Sequence, residues 1–296
     1  MPKANINSWS EYKDWIAGSI RNKKDFFYRG HSRDEWKLQS CFHRFAKKLK
    51  KPLSLEEYLG NVIPTLNYFV SAAHNEIINL NDQNEFGAFL SLTQHHGFPT
   101  PLLDWTYSPF IAAYFAFREV NDVNPGCDNV KIYIFDHFLW QSHFEQLYNL
   151  KETKQYVSVF IPFSKNNPRI ISQRGTCTIT NVDDMEQYIN EREKEKSAQY
   201  LYTVLISVKD KPKIMKELNL MGINEMSLFP GIDGICRAMK DQFFSNDEIG
   251  TTPSEMMAQI KKYFENQKKK EESALSKVLA QGLSGASNVL GRTRSE

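Results

Sequence analysis

Residues 94–116 read Gln-His-His-Gly-Phe-Pro-Thr-Pro-Leu-Leu-Asp-Trp-Thr-Tyr-Ser-Pro-Phe-Ile-Ala-Ala-Tyr-Phe-Ala, and the fold turns on how this stretch is read. Asp104, Trp105 and Thr106 make a polar segment, expected as a tight turn, set directly against an apolar run. Ser108 is a natural N-cap, and Pro109 suits the first helical position. From Phe110 to Phe117 the chain is apolar all round, which predicts a buried helix rather than a surface one. The N-terminus of such a helix aims free N–H groups and the positive end of its dipole at the polar residues before it. That arrangement holds a phosphate or a ribose; a well-capped core helix is the plainer alternative.

Working outward, Asp25-Phe26-Phe27-Tyr28-Arg29-Gly30 reads as a short aromatic strand ending in an arginine and a glycine. The strand is too apolar for solvent, so it carries Arg29 into the interior or a cleft. A charge there needs a partner, either a carboxylate such as Asp104 or a ligand anion. Gly30 lets the backbone approach something closely.

The chain has 296 residues, a length that suits one large α/β core with a tail. A net charge of +2 neither favours nor excludes nucleic acid. Cys41, Cys127, Cys177 and Cys236 are too widely spaced for a metal motif, and such unpatterned cysteines suggest reduced thiols in a cytoplasm. Adjacent His95 and His96 cannot readily face one metal, so none is expected. The apolar runs are too short to cross a bilayer, and the chain has no P-loop or dinucleotide fingerprint.

Ser8 and Glu11 suggest a capping box opening a helix toward Ile20, with Trp9, Tyr12 and Ile16 on one face and Trp15 at its edge. Ser54 and Glu57 suggest a second, opening a helix toward Ala73 bent at Pro64. A further helix spans Phe86 to His95 and stops at Gly97. Strands are expected at Val130–Phe135, Val157–Phe163, Ile170–Ile179 and Tyr200–Val208. Helices lead and strands follow, which favours an α+β fold with a mixed or antiparallel sheet and an N-terminal helical part. After 1–246 the composition changes. A helix from Thr251–Ser254 through Met256, Ile260, Tyr263 and Phe264 leads to an Ala/Ser/Gly/Leu-rich end, in which Leu275, Val278, Leu279, Leu283 and Leu290 form a weak apolar stripe. Residues 247–296 are therefore a partly disordered tail or one held by a partner.

Several of these segments together resemble the FRG domain family, named for its Phe/Tyr-Arg-Gly motif, here Tyr28-Arg29-Gly30. A second motif is similar at Gln94-His95-x-Gly97-x-Pro99-Thr100-x-Leu102-Leu103-Asp104-Trp105-Thr106-x-Ser108-Pro109. A third lies at Arg169-Ile170-Ile171-x-Gln173-x-Gly175, and a fourth at Ser227-Leu228-Phe229-Pro230-Gly231-Ile232-Asp233-Gly234. The resemblance covers about Phe26 to Phe244 in the family's order. Pro101 stands where that family usually has arginine, and Cys177 where an aromatic is common.

The motif order resembles, at greater distance, the toxin-type ADP-ribosyltransferases. Those enzymes have an arginine at the end of a first strand, a Ser/Thr motif before an Ala- and Phe-rich helix, and a Glu or Gln on a later strand. The resemblance implies a split sheet of ADP-ribosyltransferase type and NAD as substrate, with Arg29, Thr106 (or Ser108) and Gln173 as catalytic residues. Tyr28, Gly30, His95, Asp104, Trp105 and Ser108 would surround the dinucleotide. Arg29 would hold the pyrophosphate or ribose, Thr106 or Ser108 the nicotinamide ribose, and Gln173 its 2′-hydroxyl. Gln173 carries no charge and cannot act as a base, so Asp104 or Glu225 is a candidate for the missing carboxylate. The implied role is a cytoplasmic toxin or antiviral effector that modifies RNA, DNA or protein, with an antitoxin or partner on the tail. The rival reading is a non-catalytic nucleotide-binding or protein-interaction module with a structural Arg29–Asp104 pair; a nuclease built on His95 and Asp104 ranks last. The transferase reading requires Arg29, Thr106 and Gln173 to converge on one pocket from one face of the sheet.

Overall fold

The computed structural model describes residues 6–21, 26–74, 77–120, 126–162, 168–244, 257–258, 260–270 and 272–273. The chain divides into two compact units, Met1–Ile235 and Cys236–Glu296. The second is helical at 236–244, 257–258, 260–270 and 272–273. The expected start of its helix at Thr251–Ser254 and Met256 lies outside the described residues, as does the apolar stripe from Leu275 to Leu290.

The first unit is α+β. It opens with α1 (Trp9–Arg21), β1 (Phe27–His31), α2 (Cys41–Ala46), α3 (Leu55–Glu57), α4 (Ile63–His74) and α5 (Gln83–His95). Next come β2 (Leu102–Thr106), α6 (Pro109–Arg118), β3 (Asn129–Phe135), α7 (His137–His143), β4 (Val157–Phe160) and α8 (Pro168–Ser172). The unit continues with β5 (Gly175–Thr180), α9 (Met185–Lys196), β6 (Leu201–Ser207), α10 (Lys211–Leu220) and α11 (Glu225–Leu228). Six strands form one sheet in the order β4-β5-β2-β1-β3-β6, and every strand pair is antiparallel.

The pairing is uneven. β1 registers with β3 from Phe27↔Phe135 to His31↔Lys131, and β2 with β5 from Leu102↔Ile179 to Thr106↔Gly175. Between β1 and β2 the only registered pair is Tyr28↔Thr106. The sheet is thus open along its middle, with β4-β5-β2 on one side of the seam and β1-β3-β6 on the other.

The helix after Ser108 forms as its sequence dictates. The Ser108 hydroxyl accepts from the Ile111 N–H, Pro109 sits in the first turn, and Ile111, Ala112, Ala113, Tyr114, Ala116 and Phe117 are buried. Burying side chains such as Ile111 and Phe117 contributes roughly 1.5–3 kcal/mol each. The helix α6 lies on β1, and Gly30 makes this possible. A Cβ at Gly30 would stand 2.0 Å from the Ala112 carbonyl oxygen and 2.6 Å from the Ala116 nitrogen. What the glycine lets the backbone approach is therefore α6.

Alternation sorts the strand residues into two faces. Tyr28 packs with α6, Ile132 and Ile134, while Phe27 packs on the opposite face with Trp105, Tyr133 and Phe135. A third cluster joins Phe42, Tyr58, Phe89, Leu90, Leu102 and Ile179 beneath the helices α2 to α5. The expected helix α1 is present, with Trp9, Tyr12 and Ile16 buried and Trp15 partly so. Its capping box is shifted: the Glu11 N–H donates to Ser8, but the Glu11 carboxylate accepts from Asn7 rather than Ser8. The irregularity expected at Pro64 is a wide π-helical turn, Tyr58–Val62, just ahead of the ring that removes a helical donor.

Two expectations are corrected. Asp104-Trp105-Thr106 is the end of strand β2 and not a turn. Leu102 and Leu103 extend it, and Trp105 and Asp104 take opposite faces as a strand demands. Ile170 and Ile171 belong to α8, so the strand expected at Ile170–Ile179 begins only at Gly175. Gln173 lies in the intervening turn, where Arg174 adopts a φ of 47° that a strand cannot use. No described helix is long and apolar enough to cross a membrane.

Candidate functional site

The seam opens into a cavity of about 800 Å³ whose lining includes Arg29, His31, Arg44, Asp104, Thr106 and Gln173. Residues from both faces of the sheet line it, as an opening through the sheet requires. Trp36, 48% exposed, and Phe115 add aromatic surface to its walls.

Arg29 stands opposite Tyr133 in the register, on the face away from α6. Its Nε donates to His31 Nε2 at 2.9 Å, and its Nη1 reaches across the seam to the Asp104 backbone carbonyl at 2.6 Å. The expected Arg29–Asp104 pair is therefore a bond to the backbone, and no salt bridge joins the two side chains among the described residues. Because Nε2 accepts, His31 is neutral with its proton on Nδ1, which faces the Trp36 carbonyl at 3.3 Å. Burial, and then the Arg29 charge, hold the His31 pKa down at about 3. Burial also lowers the Arg29 pKa, against the attraction of Asp104.

Asp104 projects from β2 on the α6 face, directly opposite Cys177. Gln94 Nε2 donates to its Oδ1 at 2.5 Å, the Cys177 thiol donates to the same oxygen at 3.4 Å, and Thr100 in turn donates to Gln94. The carboxyl is exposed to the cavity yet ringed by protein. That desolvation raises its pKa above the ordinary carboxylate value, against the opposing pull of Arg29 and of the hydrogen bonds from Cys177 and Gln94. Much of the second sequence motif is scaffolding for this one side chain.

The other expected site residues divide differently. Thr106 is buried; its hydroxyl donates to the Gln173 carbonyl at 2.7 Å and accepts from the Ser108 N–H at 3.0 Å. Ser108 caps α6. Gln173 borders the cavity, but its carboxamide donates to the Leu228 carbonyl at 3.1 Å, as does the Ser172 hydroxyl. The fourth motif thus anchors the third. Thr106 and Gln173 stand on the α6 face and Arg29 on the other, so the three converge on one cavity but not from one face. The same-face expectation is not met, which rules out the transferase reading in the form that gives Gln173 its third role and counts in favour of the nucleotide-binding module.

Trp105 packs into the far core, donating to Thr178 at 3.1 Å and stacking on Phe135. Tyr28 is buried against α6. His95 lines a smaller adjoining cavity of about 220 Å³ with Asp104, Arg169 and Gln173, and burial followed by Arg169 lowers its pKa. Glu225 is engaged with Arg118 and the Tyr114 hydroxyl, away from Arg29. None of the four cysteines is in a disulfide, and no cluster of metal-ligating side chains occurs among the described residues.

Sequence reasoning missed His31, Trp36 and Arg44. His31 was within reach of it, because alternation puts residue 31 on the same face as Arg29. Arg44 is brought to the cavity only by the packing of Phe42, on the same short helix, against Tyr58.

No curated protein and no solved structure matches this chain. Residues 24–124 match the family model of the FRG domain, which supports placing the chain in the FRG family.

Proposed function

We propose that the seam cavity binds NAD and that the protein is an ADP-ribosyltransferase-like effector. The observation that carries this is the meeting of Arg29 and Asp104 at the opening between β1 and β2, in a cavity large enough for a nucleotide and walled by Trp36 and Phe115. Arg29 supplies a guanidinium for a phosphate or ribose hydroxyl. Asp104, one of the two candidates for the missing carboxylate, supplies the charge that Gln173 lacks, while the Gln173 amide, expected on the 2′-hydroxyl, is bonded to Leu228.

In this reading the bond from C1′ of the nicotinamide ribose to the ring nitrogen breaks, and its electron pair leaves with neutral nicotinamide. The ribose carries the positive charge, which the ionised Asp104 stabilises. An acceptor nucleophile then bonds to C1′ and releases its proton, which Asp104, with its raised pKa, is suited to take. RNA, DNA or protein is the acceptor class, and a toxin or antiviral role follows from the resemblance to toxin-type enzymes. A second reading, a non-catalytic nucleotide-binding module, is favoured by the internal bonds already made by Thr106 and Gln173.

Incubating the protein with labelled NAD and cell extract separates the two. Transfer predicts label in a macromolecular fraction and free nicotinamide, both lost in Arg29→Lys and Asp104→Asn with thermal stability kept. Binding of NAD without nicotinamide release selects the module; absence of NAD binding removes both.

A further inference from the structure

We propose that Arg29 and Arg44 together form a two-armed clamp for a diphosphate group. Both line the seam cavity, Arg29 from β1 and Arg44 from α2. Each guanidinium is held in place before any ligand arrives. Arg44 donates from Nη1 to the Gln39 carbonyl at 2.5 Å and from Nη2 to Cys41 Sγ at 3.0 Å. Arg29 is held by His31 and by the Asp104 carbonyl.

None of these four acceptors is a carboxylate. The orienting groups are two backbone carbonyls, a sulfur and an imidazole kept neutral by burial and by Arg29. Among the described residues neither arginine forms a salt bridge, whereas the rim cations Lys37 and Lys47 are paired with Asp184 and Asp183. The two guanidiniums are also close enough for Arg44 to disfavour the charge on Arg29. Asp104 feels the charge of both arginines, and its own side chain is bonded on the α6 face by Gln94 and Cys177.

Two like charges held in one cavity with uncommitted N–H donors fit a dianion, and the other carboxylates of the lining, Glu35 and Glu119, are paired with Arg33 and Arg118. Forked donors match phosphate oxygens in pairs, and two forks match two linked phosphates. Space in the cavity beyond the arginines admits the groups on either side of the bridge. The clamp deepens the NAD reading and rests on it only for what flanks the diphosphate.

The test is calorimetric titration of the full chain with inorganic pyrophosphate, ADP, NAD, inorganic phosphate and adenosine. Arg44→Ala, Arg44→Lys and Lys37→Ala are compared with the unaltered protein. Pyrophosphate and ADP are expected to bind, inorganic phosphate more weakly. Arg44→Ala should weaken both by roughly ten- to a hundredfold, Arg44→Lys by less, and Lys37→Ala hardly at all, with adenosine binding unaltered throughout. Equal losses in Lys37→Ala and Arg44→Ala would mean diffuse attraction and overturn the clamp, as would unchanged binding in Arg44→Ala. If Arg44→Ala lowers the melting temperature, Arg44→Gln, which can still donate to Gln39, decides in its place. Binding of pyrophosphate and ADP without NAD overturns the proposed function and leaves the clamp standing. NAD binding indifferent to Arg44→Ala overturns the clamp and leaves the proposed function.

Discussion

Replacing Gly30 by alanine adds one methyl group at the contact between β1 and α6. That carbon would lie 2.0 Å from the Ala112 carbonyl oxygen and 2.6 Å from the Ala116 nitrogen, whereas a carbon–oxygen contact ordinarily stands at about 3.3–3.6 Å. The backbone of α6 must therefore retreat from β1 by about 1.3–1.6 Å, since both obstructing atoms are main chain and no rotamer relieves them. A gap of 0.5–1 Å already forfeits about a quarter to a half of a contact's dispersion energy, so the packing of Ala112 and Ala116 on the strand is largely lost. Overpacking typically costs 1–3 kcal/mol and occasionally more, and a backbone clash belongs at the upper end, about 3 kcal/mol. For a unit of this size that lowers the melting temperature by roughly 6–12 °C. Thermal unfolding followed by circular dichroism, alongside NAD titration of the folded protein, measures both effects. A melting temperature within about 2 °C of the original refutes the packing argument. Lost NAD binding at unchanged stability would restore Gly30 to the ligand contact its motif first suggested.

Two further outcomes follow from the same geometry. Thr106→Val leaves the Gln173 carbonyl and the Ser108 N–H without their partner, at about 1–3 kcal/mol, while Thr106→Ser restores most of it; equal urea midpoints for all three proteins would count against this. Burial, the main cause in both, holds His31 at about 3 and His43 at about 4, below the roughly 6.5 of an unfolded histidine. The unfolded chain therefore binds more protons, so this stability is fully present above about pH 6.5 and is lost as pH falls toward 4 and then 3, at up to about 1.4 kcal/mol per pH unit per histidine. Denaturant titrations from pH 7 to 4.5 should show a shallower slope in His31→Gln, and identical slopes would sink the assignment.

What the sequence revealed and what it hid have physical causes. The α6 helix was legible because cap, proline and apolar run all act within a few residues. Strands β3 and β6 were legible because β-branched residues recur there. Asp104 misled because it is a polar residue in a strand between buried neighbours, and its reason for being polar is a cavity made by other segments. Gln173 misled because two isoleucines that read as a strand are instead part of the one-turn helix α8, which packs beside α11. Arg44 was invisible because nothing local marks it; its importance arises when α2 meets the seam. The convergence of Arg29, Thr106 and Gln173 on one cavity was anticipated, but their split between two faces depends on how far β1 and β2 diverge, and no local pattern encodes that.

That divergence gives a six-stranded sheet two inner flanks that are paired only at Tyr28 and Thr106, besides its two outer edges. In an ordinary sheet the middle strands are the last to exchange their amide protons with solvent, because both neighbours protect them. Here β1 and β2, central in order, are each fully paired on one flank only. They are central in topology and peripheral in protection. The seam between them is shielded from strand-to-strand aggregation because its edges face one another across the cleft rather than outward.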